Sequence, residues 1–79
     1  MVVQILGTGC PKCKMLEANA IDAIESLGIE AETKKISKID EIFEMGVMMT
    51  PALAIDGDVK SVGELLSKDE IIEILKELE

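Results

Sequence analysis

The sequence predicts an α/β domain in which a β-α-β-α-β-β-α chain builds a four-stranded mixed sheet flanked by three helices. Three observations carry that expectation. An apolar run, Val2 to Leu6, is followed after a glycine-rich break by a long stretch with helical spacing. Asp56-Gly57-Asp58 lies between two short strand-like runs, the pattern of a tight hairpin. Ser67 and Glu70 form a Ser-x-x-Glu capping box ahead of a last apolar periodicity. A chain of 79 residues with 48% hydrophobic side chains can close one modest core, so a single domain is expected over residues 1–79.

Each element has a local reason. Val2 to Leu6 reads as a buried strand that stops at Gly7-Thr8-Gly9. From Pro11 to Leu27, Cys13, Leu16, Ala20, Ile24 and Leu27 share one helical face, while Lys14, Glu17, Asp22 and Glu25 point mostly elsewhere. Pro11 suits the first helical position, where its missing N–H would have had no intrahelical partner, and Gly28 suits the stop. Ile29 to Ile36 alternates and reads as the second strand. Ser37 is placed to cap a short helix over Ile39 to Met45, ended by Gly46. Ala52 to Ile55 and Val59 to Val62 read as the arms of the hairpin, and Ile71, Ile72, Leu75 and Leu78 mark the last helix. The first β-α-β should be parallel with a right-handed crossover, and the hairpin antiparallel.

Composition narrows the chemistry. The chain has no His, Arg, Trp or Tyr, which excludes histidine acid–base catalysis, Cys–His nucleophiles and the usual zinc sites. Eight lysines against sixteen acids give a net charge of −8, unsuited to neutralising phosphates, so no nucleic-acid partner is expected. Phe43 alone cannot supply a stacking platform. No apolar run approaches the roughly 18 residues of a membrane span, and Met1 to Leu6 lacks the marks of a secretory signal. A soluble, cytoplasmic monomer without a cofactor or resident metal is expected. Cys10 and Cys13 are then the only reactive side chains out of the ordinary.

Those two stand in Gly7-Thr8-Gly9-Cys10-Pro11-Lys12-Cys13, a Cys-x-x-Cys at the start of a helix after a strand. There the free N–H groups and the helix dipole both favour negative charge on Cys10, lowering its pKa and forming the nucleophilic thiolate. Pro11 donates no N–H, so Lys12 and Cys13 must supply the donors. Lys12 and Lys14 also make this the one locally cationic place, because residues 17–79 hold all sixteen acids. Pro11 and Lys12 are thus expected to tune the site. A merely stapling disulfide is a poor alternative: closing four residues yields about 2 kcal/mol, against about 3 for a fifteen-residue loop. Two thiolates could instead carry Cu(I), and spacing alone leaves that soft-metal carrier reading open. A catalytically silent interaction domain is a third possibility, marked by an unactivated cysteine pair.

Thr50-Pro51 directly precedes the Ala52 strand, and by itself such a proline only starts a strand or protects an edge. Taken with the cysteines, the order strand, Cys-Pro-x-Cys, helix, strand, helix, Thr-Pro, hairpin, helix resembles the thioredoxin superfamily over nearly the whole chain. It is most similar to the small thioredoxin-like and glutaredoxin-like redox-active disulfide proteins, which share the Gly-x-Gly-Cys-Pro-x-Cys site and a Thr-Pro-Ala-Leu-x-x-Asp-Gly segment, here Thr50 to Gly57. The resemblance implies a minimal thioredoxin fold and a thiol–disulfide oxidoreductase. It implies a nucleophilic Cys10, a resolving Cys13, a cis Thr50–Pro51 bond beside them, and substrate-facing roles for Thr50 and Pro51. It further implies disulfide-containing client proteins and a separate reductase as electron donor. Gly63 is similar to the glycine that follows the last strand in that family. The departures are specific. Gly9 replaces a Trp, Pro11-Lys12 replaces Gly-Pro, Gln4 is the only polar residue of the first strand, and Ser61 to Leu66 lacks a glutathione-binding pattern. Met48 and Met49 read first as core filler leading into a strand, and second as an adaptable apolar contact for clients, Met49 beside Thr50 and Pro51.

Overall fold

In a computed structural model, which describes residues 1–78, seven elements follow in the expected order. They are strand β1 (Val2–Leu6), helix α1 (Pro11–Leu27), strand β2 (Glu32–Ile36), helix α2 (Ile39–Glu44), strands β3 (Ala52–Ile55) and β4 (Asp58–Val62), and helix α3 (Lys68–Glu77). The sheet runs β2-β1-β3-β4. β1 is parallel to β2 and antiparallel to β3, and β3 is antiparallel to β4.

Alternation along the strands divides the core between two faces. Val3 and Ile5 of β1 join Leu53 and Ile55 of β3 under α1 and α3, against Leu16, Ala20, Ile24, Ile71 and Leu75. Leu6, Ala52 and Ala54 face the other way, against Ile42 of α2 and Val47. Leu6, Leu16, Leu53, Ile71 and Leu75 are fully buried, each burial contributing about 1.5–3 kcal/mol. The two central strands are therefore held from both sides, and their ends are rigid places to mount a site.

The helix ends follow their sequence signals. α1 starts with Pro11 at its first position and stops at Gly28, whose N–H bonds the carbonyls of Ile24 and Glu25. α3 carries the full capping box: Ser67 Oγ accepts from the Glu70 N–H, and the Glu70 carboxylate accepts from the Ser67 N–H. The hairpin turns on Asp56 and Gly57, both at positive φ, as two-residue hairpins of this kind require. The Gln4 side chain accepts the Gly57 N–H at 2.8 Å. The single polar residue of β1 thus serves the hairpin turn.

Three expectations need correction. β2 begins at Glu32 rather than Ile29, where its parallel pairing with Val2 of β1 starts. Ile29 and Ala31 still pack against the core beside α1. Ser37 does not cap α2; Lys38 is the N-cap, without a side-chain bond, and Met45 lies just past the helix as its C-cap. Asp58 belongs to β4, since the turn needs only two residues.

Candidate active site

The site begins where β1 runs into α1. Cys10 is the N-cap residue of α1, with extended backbone (φ −67°, ψ 163°), and its carbonyl accepts the first helical bond from the Lys14 N–H at 3.1 Å. Its thiol is half-exposed, and that of Cys13, one turn further on, is buried. Both cysteines are free thiols. The Cys10 side chain makes no capping hydrogen bond. The Cys10 pKa is nevertheless held below the ordinary thiol range, first by the Cys13 thiol donating to its sulfur, then by the Cys13 and Lys12 N–H groups. Cys13 moves the other way. Burial raises it, and donating its proton to an anionic Cys10 raises it further. One cysteine is reachable and easily ionised, and its neighbour is hidden and holds its proton.

Gly7, which in the sequence only ends a strand, makes room for this pair. A Cβ built on Gly7 would overlap Cys13 Sγ and stand 3.1 Å from Cys13 Cβ, and the same point is 3.9 Å from Thr50 Cβ. The end of β1, the first turn of α1 and the segment before β3 therefore meet at one spot. No local signal in Gly7-Thr8-Gly9 reveals that meeting, because it joins three separate parts of the chain.

The Thr50–Pro51 bond is cis, as the resemblance implies. Thr50 is exposed, whereas the Pro51 ring is fully buried and its carbonyl accepts from the Gly63 N–H at 2.8 Å. Gly63 has φ +73°, and a Cβ there would come within 3.3 Å of Met49 Cβ and Cε. Met49 thus lies over the end of β4 close to Thr50. Pro11 and Lys12 are exposed on the first turn of α1.

Met48 and Met49 are not core filler: they are 84% and 63% exposed. Val47 takes the inward place against Leu6 and Ala52, which leaves the two methionines outside. Met48 joins Ile39, Phe43, Val47, Thr8 and Thr50 around an apolar groove of about 190 Å³. Ile39 and Phe43, which no motif singles out, are each 58% exposed. Their signal was the two apolar residues of α2 left over after Ile42 is assigned to the core.

A second cleft, of about 180 Å³, reaches Cys13 from the β2 side and is lined in part by Lys14, Lys35 and Ser37. No group of three or more His, Cys, Asp or Glu converges among the described residues. No helix among them is long and apolar enough to cross a membrane.

Comparison with known proteins finds relatives over nearly the whole chain. A family model described as thioredoxin domain matches residues 1–76. The chain is 51% identical over 75 residues to a thioredoxin of Methanothermobacter thermautotrophicus, covering 95% of this chain and 97% of the relative. It is 43% identical over 76 residues to a thioredoxin of Methanocaldococcus jannaschii, covering 96% of this chain and 87% of the relative.

Proposed function

Because the chain belongs to the thioredoxin family and is a thiol–disulfide oxidoreductase, we propose that Cys10 and Cys13 carry its reaction, reducing disulfides of client proteins through a mixed disulfide on Cys10. The Cys10 thiolate attacks one sulfur of the client disulfide, and the other leaves as a thiolate that takes a proton from water. Cys13 then gives up its proton and attacks Cys10 Sγ. The client's second sulfur leaves, the client is fully reduced, and Cys10 and Cys13 are joined. A separate reductase returns two electrons to the pair.

The observation that carries this reading is the opposite bias on the two thiols: Cys10 half-exposed with a lowered pKa, Cys13 buried with a raised one. An attacking thiol must be ionised and reachable; a resolving thiol must be close and must not react first. Pro11 and Lys12 tune the pair, Pro11 by starting the helix without an N–H and Lys12 by turning its own N–H to Cys10. Met49 and Thr50 present the exposed atoms that a client chain meets, with the buried Pro51 fixing them. The same proposal has the chain act as a monomer in the cytoplasm, a reducing compartment in which the dithiol persists.

Insulin reduction, with dithiothreitol recycling the protein, tests the proposal. Wild type should accelerate precipitation of the insulin B chain, and Cys10→Ser should not. Equal rates for the two proteins would refute it.

A further inference from the structure

Methionine usually serves as an adaptable filler of core gaps. Met45 does so here, half-buried against the cluster around Ile42 and Val47. Met48 and Met49 do the reverse, and Met48 is the most exposed methionine of the chain. The two differ in what lies beside them. Met49 is laid over Gly63: a Cβ at Gly63 would stand 3.7 Å from Met49 Sδ, so one side of that sulfur is covered. Met48 borders the groove shared with Thr8, Phe43 and Thr50 and is otherwise open to solvent. Oxidation of a thioether turns a flexible apolar side chain into a polar one, and susceptibility follows exposure. An oxidisable sulfur therefore stands on the apolar groove that adjoins Thr50.

Resting on the client-reduction reading above, we propose that Met48 is a modification site for peroxides, whose conversion to the sulfoxide turns protein clients away while leaving the cysteine chemistry intact. In the reaction the Met48 sulfur gives an electron pair to one oxygen of hydrogen peroxide. An S–O bond forms, the O–O bond breaks, and the second oxygen leaves as water with the proton of the transferred one. The sulfur is oxidised by two electrons and the peroxide is reduced by two. In the dithiol protein the Cys10 thiolate is the stronger nucleophile and meets peroxide first. Once Cys10 and Cys13 are joined, the chain holds no other thiol, and the exposed thioethers are what peroxide encounters. The sulfoxide places a strong dipole beside Phe43 and Ile39, and covering it with a client removes its hydration without a partner in return. A small disulfide that reaches Cys10 without entering the groove is unaffected. Methionine sulfoxide reductases make the change reversible.

The test begins with protein closed to its disulfide by the thiol oxidant diamide and then exposed to hydrogen peroxide for increasing times. Peptide mass spectrometry should find the sulfoxide at Met48 first, at Met49 more slowly and at Met45 last. After removal of peroxide and reduction with dithiothreitol, insulin KM should be about fivefold higher than before treatment, with kcat little changed. The rate with the small aromatic disulfide dithiobis(nitrobenzoate) should be the same before and after. In Met48→Leu the ratio of KM after peroxide to KM before should fall close to one. Because each variant is compared with itself, any effect of leucine on the starting KM drops out. Met15 is exposed on α1 but lines neither cleft, so Met15→Leu should respond as wild type does. Oxidation of Met45 as fast as Met48, an unchanged insulin KM once Met48 is fully converted, or a Met48→Leu that responds like wild type overturns the proposal. Untreated wild type that fails to reduce insulin would instead sink the client-reduction reading, so the two failures are distinguishable.

Discussion

Gly7 and Cys13 share one space: any side chain at position 7 would occupy the volume of the Cys13 sulfur. The backbone of Gly7 needs no special conformation, and its N–H bonds the Ile36 carbonyl at 2.9 Å within the sheet. The requirement for glycine is therefore steric and arises from the site. Gly7→Ala should displace the Cys13 thiol, destabilise the protein by about 1–3 kcal/mol and slow resolution of the mixed disulfide. Urea unfolding reads the first effect, and accumulation of a trapped client adduct the second. A variant with unchanged stability and turnover would mean that the overlap is relieved without displacing the sulfur.

The pH dependence of Cys10 should follow its hydrogen-bond donors. Its leading cause of a lowered pKa is the Cys13 thiol, so Cys13→Ala should move the inflection of iodoacetamide alkylation upward. Cys13→Ser keeps a donor and should move it less. The same shift bears on folding. A folded-state pKa below the unfolded one contributes stability that is fully present above the ordinary thiol pKa and is lost as pH falls through the lowered value. An inflection that is the same in Cys13→Ala and wild type would remove the thiol as its cause.

Phe43 and Met48 border the groove beside Thr50 and leave large apolar surfaces in water. The double substitution Phe43→Ser/Met48→Ser should change stability by no more than about 0.5 kcal/mol per site, as exposed positions usually do. Client reduction should suffer more, with KM rising several-fold and kcat little altered, since an apolar contact that serves only client binding is lost. Insulin kinetics on the double variant check this; an unchanged KM would show that clients dock elsewhere.

Ser67 closes the start of α3 through its reciprocal bonds with Glu70. Ser67→Ala should cost about 1 kcal/mol, read as a lower urea midpoint with an unchanged slope, and Ser67→Asp should recover most of it. An unaltered midpoint would mean that the exposed cap exchanges its bonds for water at no net cost.

Features with local causes were legible in the chain. α1 spans Pro11–Leu27 as expected because a proline start and a glycine stop are written next to its apolar face. The hairpin follows from Asp56-Gly57, and the start of α3 from Ser67 and Glu70. Cys10 and Cys13 were legible for the same reason, since four neighbouring residues place one thiol at a helix cap and the other in its first turn. What escaped depends on distant segments. Ile29 to Ala31 alternates like a strand, but Ile29 and Ala31 pack against the core ahead of the ladder, which starts at Glu32. The exposure of Met48 and Met49 is decided by Val47 turning inward, which no periodicity announces. Lys35 reaches the Cys13 cleft only through the parallel register that sets it opposite Ile5.

The most direct measurement is mass-spectrometric mapping of the thiol that reacts first when reduced protein meets limiting iodoacetamide near neutral pH. Labelling of Cys10 with Cys13 left free is expected, because only Cys10 is both reachable and biased toward the thiolate. Equal labelling, or Cys13 labelled first, would contradict the division of roles between the two cysteines.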